Sequence, residues 1–379
     1  MRSTPIALLG LLSAACLTAQ TPAKQSPTPT NISTVLRVET VATGLVNPWG
    51  LDFLPDGRMI VTEKPGRLRI VAKDGTLSEP VTGVPAVFAR GQGGLLDVAV
   101  DPKFAQNRTI FFTFAEPGDS GTAGTAVGRG RLVGNALTEV EVIYRQSPKV
   151  RSTAHFGSRI VFNKDGTLFV TAGDRGNQRP LVQDLSTGIG KIVRINPDGT
   201  IPKDNPFVGR AGVNEAIWSY GHRNLQGATL DGAGQLWTVE HGAKGGDELN
   251  HPQAGKNYGW PIITYGTDYN GTKIGEGTAK AGMEQPVYFW DPVIAPSELV
   301  YYTGDKYPGW KGNFVAGGMG TVNGLVRLVV ENGQVVREER HLGELALRIR
   351  DVQQGPDGFL YVTTDVTDGK ILRVRPVGK

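Results

Sequence analysis

Three polar segments hold the side-chain types and spacings that could do chemistry in this chain. The first is Ala154-His155-Phe156-Gly157-Ser158-Arg159. The second, Tyr220-Gly221-His222-Arg223-Asn224-Leu225-Gln226-Gly227, sets a histidine, a guanidinium and two amides side by side. The third runs Glu240-His241-Gly242-Ala243-Lys244-Gly245-Gly246-Asp247-Glu248-Leu249-Asn250 and leads into Asn257-Tyr258-Gly259-Trp260-Pro261. A histidine ordinarily titrates near neutral pH, so it can take a proton from a reacting hydroxyl. In the third segment glycines let main-chain carbonyls turn inward, and Asp247 and Glu248 add hard oxygens. That mixture suits Ca2+, which takes about six to eight oxygen ligands. The spacing is not that of an EF-hand loop, so solvated acids on a glycine-rich connection are the competing reading.

Other chemistries are excluded. The five histidines (His155, His222, His241, His251 and His341) include no His-Glu-x-x-His pair for zinc. No Gly-x-Ser-x-Gly elbow and no Gly-x-x-x-x-Gly-Lys-Ser/Thr phosphate loop occurs. The single cysteine rules out a disulfide framework and a cysteine-rich metal site. A net charge of +4 over 379 residues, with the basic residues dispersed, gives no footprint for nucleic acid.

The elements that must position these segments are short strands. Arg58–Thr62, Thr109–Phe114, Thr167–Thr171, Gln235–Val239 and Phe359–Thr363 are β-branched or aromatic runs bounded by turn residues. Four follow an Asp-Gly turn, at Asp56-Gly57, Asp165-Gly166, Asp231-Gly232 and Asp357-Gly358, and degenerate copies stand near Asp101 and Trp310. Asp-Gly suits such turns because glycine accepts positive φ and aspartate caps the local backbone. Counting all gives six strand-rich units, and 52 glycines with 24 prolines leave little room for long helices. The expected fold is all-β, a six-bladed propeller of four-stranded antiparallel blades over residues 35–379, with a pair of irregular sandwiches as the alternative. A propeller gathers loops from every blade around one mouth.

The N-terminus has the form of an export signal: Arg2, a short apolar run from Ile6 to Leu12, then small residues to Ala19. Residues 1–19 are expected to be cleaved and residues 20–34 to form a linker, giving a periplasmic or secreted protein. Anchoring through a lipid on Cys16 is the alternative. No later run of about 20 apolar residues could cross a membrane.

Six motifs in order resemble the soluble quinoprotein sugar dehydrogenases, in particular the periplasmic aldose sugar dehydrogenase branch. They are Gly91-Gln92-Gly93-Gly94-Leu95-Leu96-Asp97, His155-Phe156-Gly157-Ser158-Arg159, Trp218-Ser219-Tyr220-Gly221-His222-Arg223-Asn224, Gly246-Asp247-Glu248-Leu249-Asn250, Asn257-Tyr258-Gly259-Trp260-Pro261 and Arg348-Ile349-Arg350-Asp351. The resemblance implies a six-bladed propeller with pyrroloquinoline quinone (PQQ) and Ca2+ at its mouth, oxidising the C1 hydroxyl of aldose sugars to lactones and passing electrons to an external acceptor. It implies His155 as the base that takes the hydroxyl proton while hydride leaves C1. Arg223 and Asn224 would stand by the quinone oxygens, Arg223 stabilising the developing negative charge. Arg348 and Arg350 would grip PQQ carboxylates, and positions two apart in a strand share a face. Gln92 and Tyr269 would also contact the cofactor. One Ca2+ would rest on carbonyls of Gly242 and Ala243, and a second, structural one on Glu248 and the main-chain oxygen of Tyr258, with Asp247 a weaker candidate.

One departure stands out. The family presents a lysine to PQQ from the fifth blade, but Val315–Gly324 here contains neither lysine nor arginine. Gly317 and Gly318 would still allow a flat ligand to approach the backbone, and Lys311 or Arg327 could supply a neighbouring cation. Two other readings stay open: a calcium-dependent propeller lactonase, in which a mouth Ca2+ and a histidine base activate water, and a non-catalytic binding propeller, which the missing lysine supports. The chain is expected to act as a monomer or homodimer.

Overall fold

The computed structural model describes residues 24–25, 34–320 and 322–377. The expected export signal, Cys16 and nearly all of the linker lie outside the described residues. The chain forms six antiparallel sheets arranged as a propeller. The first blade comprises Pro48–Phe53, Met59–Glu63 and Arg67–Val71, its fourth line reduced to a bridge between Val71 and Leu77. The second comprises Leu95–Val100, Thr109–Pro117, Ala123–Val133 and Ala136–Arg145, and the third Gly157–Phe162, Leu168–Ala172, Lys191–Ile195 and Ile217–Tyr220. The fourth holds Leu225–Leu230, Leu236–Glu240, Asp247–Asn250 and Tyr288–Trp290, and the fifth Pro296–Tyr301, Phe314–Met319, Asn323–Glu331 and Gln334–His341. The sixth joins Ile349–Gln354, Leu360–Thr364 and Gly369–Pro376 to an outer strand from the other end of the chain, Leu36–Leu45. That register runs from Leu36 opposite Pro376 to Leu45 opposite Gly369, and it closes the ring. Within the expected linker, Lys24–Gln25 pair in parallel with Tyr288 and Phe289 at the edge of the fourth blade.

Each of the four Asp-Gly turns joins the first strand of a blade to its second, and the segments near Asp101 and Trp310 occupy the same place in the second and fifth blades. The aspartates work as expected: Asp56, Asp165 and Asp357 accept hydrogen bonds from the main-chain N–H groups of Arg58, Thr167 and Phe359 at 3.0, 2.9 and 3.2 Å. In the fourth blade the turn is as long as the others, but the residue with positive φ is Gly234 (85°), not Gly232, and Asp231 stands at the turn's first position. First strands line the axis, each packed on the next around a closed ring. Their starts and the ends of the second strands therefore meet at one end, the mouth, while all six turns lie at the other.

Apolar faces of neighbouring blades interleave. Phe111 and Val127 of the second blade, for example, pack with Ile160, Val170 and Val193 of the third, each fully buried side chain contributing about 1.5–3 kcal/mol. On the axis the contact is ionic. Arg159, with a side chain only 2% exposed, pairs with Asp97 at 2.8 Å, with Glu298, and with Asp351 at 3.6 Å. Its Nε also donates to the Gln226 carbonyl at 3.1 Å, and its guanidinium lies 4.4 Å from the Trp49 ring centre. These partners come from the other five blades, so one side chain from the third ties all six inner strands together.

Candidate active site at the propeller mouth

His155 enters the mouth at the start of the third blade through an irregular stretch in which His155, Gly157 and Ser158 have φ of 52°, 64° and 95°. The left-handed backbone at a histidine costs about 1–3 kcal/mol and needs support. Gln92 gives it, its Oε1 accepting the His155 N–H at 2.7 Å. Gly173 is required opposite, because a Cβ there would meet the His155 carbonyl oxygen at 2.2 Å. Nδ1 of His155 donates to Asp174 Oδ1 at 2.6 Å, just past the end of the blade's second strand. Asp174 also accepts from Trp260 Nε1 at 2.8 Å and the Gly176 N–H at 2.7 Å. Burial alone would raise this carboxyl; the His155 hydrogen bond, with His155 and Arg223 nearby, holds it below the usual range. An ionised Asp174 fixes the proton on Nδ1, leaving the Nε2 lone pair free as an acceptor. The sequence reading missed Asp174, whose signal was a carboxylate between Gly173 and Gly176 directly after a hydrophobic strand.

The other histidines are committed elsewhere. His241 also lines the mouth, but Nε2 donates to the Pro296 carbonyl at 2.8 Å, and burial, reinforced by the Arg223 charge, lowers its pKa to about 3. It stays neutral and is too weak a base to hold a proton at working pH. His222 is enclosed by Ser219 and Glu240, both at 2.9 Å. His251 stacks on Trp237 at the turn end of the fourth blade, and His341 is buried beside Glu339 in the fifth.

Arg223 follows His222 at the entrance to the fourth blade. Its main-chain N–H donates to Glu240 Oε2 at 2.6 Å, and its side chain reaches the carbonyls of His241 (3.1 Å) and Gly242 and the Tyr269 hydroxyl (3.3 Å). The guanidinium lies 5.3 Å from the Trp260 ring centre, and its Nε is buried without a hydrogen-bond partner. Asn224 accepts from the Gly157 N–H at 3.3 Å and from Gln226 Nε2 at 3.2 Å, which joins it to the His155 strand. Tyr269 is 69% exposed, so Arg223 supplies its tether to the site.

A cavity of about 220 Å³ opens at the mouth, walled by Trp49, Lys64, Gln92, Asn224, Arg348 and Arg350 among others. Arg348 stands just ahead of its strand, and the register shifts around Arg350. The two guanidinium groups still converge, both on Asp365 Oδ2, at 3.0 and 2.9 Å. Arg350 also donates to Gln226 Oε1 at 3.1 Å and keeps a buried Nε without a partner. Burial would raise the Asp365 carboxyl, but Arg350 and Arg348 hold it below its ordinary value. Its stabilising effect is therefore complete above the unfolded pKa, about 4, and is lost as pH falls through the lower folded value. Asp365→Asn is expected to lower unfolding free energy at pH 7 by about 2–4 kcal/mol. Denaturant melts should show the gap closing below about pH 4, and a gap that did not change with pH would refute the assignment.

The fifth blade departs from expectation. Gly317 and Gly318 lie inside the strand Phe314–Met319, where a Cβ would strike Ser297 Oγ or the Val322 carbonyl at 2.3 Å. Their small size serves blade packing; Met319 is the residue of that strand on the cavity wall. Lys311 sits in the turn at the opposite end, and Arg327 is buried against Glu339 and Asn313, each at 2.8 Å. Neither reaches the mouth.

Beside the mouth, the fourth-blade loop forms a pocket with room for about one small ion, roughly 10 Å³, lined by Glu240, Gly242, Glu248 and Tyr258 among others. Ala243 is buried next to Gly242. Burial, then repulsion from Glu240, raises Glu248 to about 8, a strain that a cation would relieve. Asn250 donates to both glutamates at 3.0 Å, and its own Oδ1 is buried without a donor. Asp247 uses both oxygens on the N–H groups of Gly242, Ile294 and Ala295 at 2.7–2.8 Å, so it shapes the loop. Among the described residues no group of three or more His, Cys, Asp or Glu converges on one point. A cation here would depend on main-chain oxygens, which suits calcium rather than zinc.

Comparisons with known proteins agree with this fold. The aldose sugar dehydrogenase YliI of Escherichia coli (strain K12) is 46% identical over 348 residues, covering 90% of this chain and 93% of that protein. The crystal structure of the soluble aldose sugar dehydrogenase of Escherichia coli in its apo-form superposes with a TM-score of 0.88 at 45% identity, covering 90% of this chain and all of that one (100%). The PQQ-bound aldose sugar dehydrogenase of Streptomyces coelicolor gives a TM-score of 0.74 at 28% identity, covering 91% and 99%. Residues 45–373, all six blades almost complete, match the glucose/sorbosone dehydrogenase family, and the chain belongs to that family.

Proposed function

We propose that the protein is an exported, PQQ- and calcium-dependent dehydrogenase that oxidises the C1 hydroxyl of aldose sugars to a lactone and passes the electrons to an external acceptor. The observation that carries this reading is the His155–Asp174 pair next in sequence to Phe156 and Gly157 of a cavity walled also by Arg348 and Arg350, the latter with an unspent buried Nε. Arginine forks match carboxylates and quinone oxygens, so Arg348 and Arg350 would hold the cofactor's acid groups and Arg223 with Asn224 its quinone side. PQQ supplies the two-electron redox chemistry when bound. The chain's own part is to bind, orient and move one proton. His155 Nε2 takes the proton of the sugar's anomeric hydroxyl as hydride leaves C1, and Asp174 stabilises the imidazolium that results. Arg223 steadies negative charge on the oxygens next to it. Calcium would rest on the carbonyls of Gly242 and Ala243, with a second ion held by Glu248 and Tyr258. Among the described residues no helix is long and apolar enough to cross a membrane.

The test is reduction of an artificial dye with a panel of aldoses. Activity is expected only when both PQQ and Ca2+ are added. Lactone hydrolysis without PQQ would replace this reading with a calcium-dependent lactonase. Failure to bind PQQ, with no turnover of either substrate class, would leave a binding propeller.

A further inference from the structure

Resting on that reading, we propose that Lys64 of the first blade supplies the third cationic contact for the tricarboxylate cofactor, in place of a cation from the fifth blade. Lys64 follows the strand Met59–Glu63 and borders the same cavity as Arg348, Arg350 and Asp365. Its backbone is pinned: the N–H donates to the Asn47 carbonyl at 3.0 Å, and its carbonyl accepts from the Leu95 N–H at 3.2 Å. Nζ donates to the Gly91 carbonyl at 3.0 Å, next to Gln92. An ammonium carries three donors, and this is the one hydrogen bond it makes among the described residues. No carboxylate is within ion-pair distance of it there; Asp365 is taken by the two arginines. Burial and the neighbouring Arg350 and Arg348 charges lower its pKa, with Asp365 only partly offsetting them. A cation held next to like charge, with donors to spare, is placed for an anion that the protein itself does not provide.

The charge balance points the same way. Arg348 and Arg350 share Asp365, which leaves one net positive charge between them. Lys64 brings the wall of the cavity to two. In the fifth blade Met319 offers only its carbonyl, already taken by Arg348. Lys64 comes from the first blade, between the second and the sixth, so it stands beside the arginine pair on the cavity wall.

The experiment titrates PQQ into calcium-loaded protein and reads binding by quenching of intrinsic fluorescence, independently of turnover. Lys64→Gln is expected to weaken binding about tenfold to a hundredfold, the range for a charge-assisted contact. Lys64→Arg should recover most of it. With the trimethyl ester of PQQ, whose acid groups are masked, wild type and Lys64→Gln should bind alike. Equal PQQ affinity in wild type and Lys64→Gln would overturn the assignment. So would a loss that persisted with the ester, because the lysine would then act through structure. If wild-type protein does not bind PQQ at all, the function proposed above falls, and this assignment with it.

Discussion

Replacing His155 with alanine is expected to lower turnover by at least about a hundredfold while leaving PQQ binding intact. The separation follows from the division of labour at the mouth. The ring contributes a proton acceptor, whereas the cations that would hold the cofactor come from other blades. His241, the other mouth histidine, is held neutral with Nε2 committed to a carbonyl. A companion variant tests the tautomer. Asp174→Asn keeps the shape but offers an amide to the 2.6 Å contact, so the ring can present N–H instead of a lone pair to the substrate. A loss of about 10²–10⁴-fold in kcat is expected, with PQQ affinity changed little. Steady-state kinetics beside a binding titration checks both, and near-normal turnover in His155→Ala would refute the assignment of the base.

The largest effect on stability belongs to Arg159→Met. The substitution leaves Asp97, Glu298 and Asp351 buried on the axis without their shared cation. Removing one partner of a buried ionic cluster costs about 3–5 kcal/mol. Burial already raises all three carboxyls, Asp351 to about 7, with Arg159 opposing the rise. Groups whose folded pKa exceeds the unfolded one give stability that is present at low pH and lost as pH rises through the folded value. Without Arg159 those values rise further. The deficit of Arg159→Met should therefore be larger at pH 8 than at pH 5 in urea unfolding, and a midpoint equal to wild type at pH 8 would contradict the account.

How much of this was legible in the sequence depends on how local each signal is. The Asp-Gly turns were legible because the capping aspartate and the left-handed glycine lie within one turn, and the four of them with the two degenerate copies counted the six blades. The closing strand Leu36–Leu45 was not, because its partners lie at the far end of the chain; Glu39 bonds Arg373 at 2.7 Å. The reduced fourth line of the first blade left no mark in composition either. At the site, Gln92, Asn224, Arg348 and Arg350 line one cavity, with His155 bonded to Gln92 and Arg223 next to Asn224 in sequence. Asp174 escaped because its role exists only once the third blade's first two strands pair. Lys64 sits in Glu63-Lys64-Pro65-Gly66, which in sequence is an ordinary surface turn. Gly317 and Gly318 erred the other way: glycine marks close approach, and here the close neighbour is the protein itself. Arg159, read as part of a polar mouth segment, is the axial tie instead.

The central claim is that an aldose delivers its C1 hydrogen to a quinone held at this mouth. One anaerobic single-turnover measurement addresses it: protein loaded with PQQ and Ca2+ is mixed with glucose carrying hydrogen or deuterium at C1, and the absorbance of the bound cofactor is followed. The account predicts reduction of the cofactor by both sugars, slower with deuterium. A cofactor spectrum that the sugar leaves unchanged would contradict it.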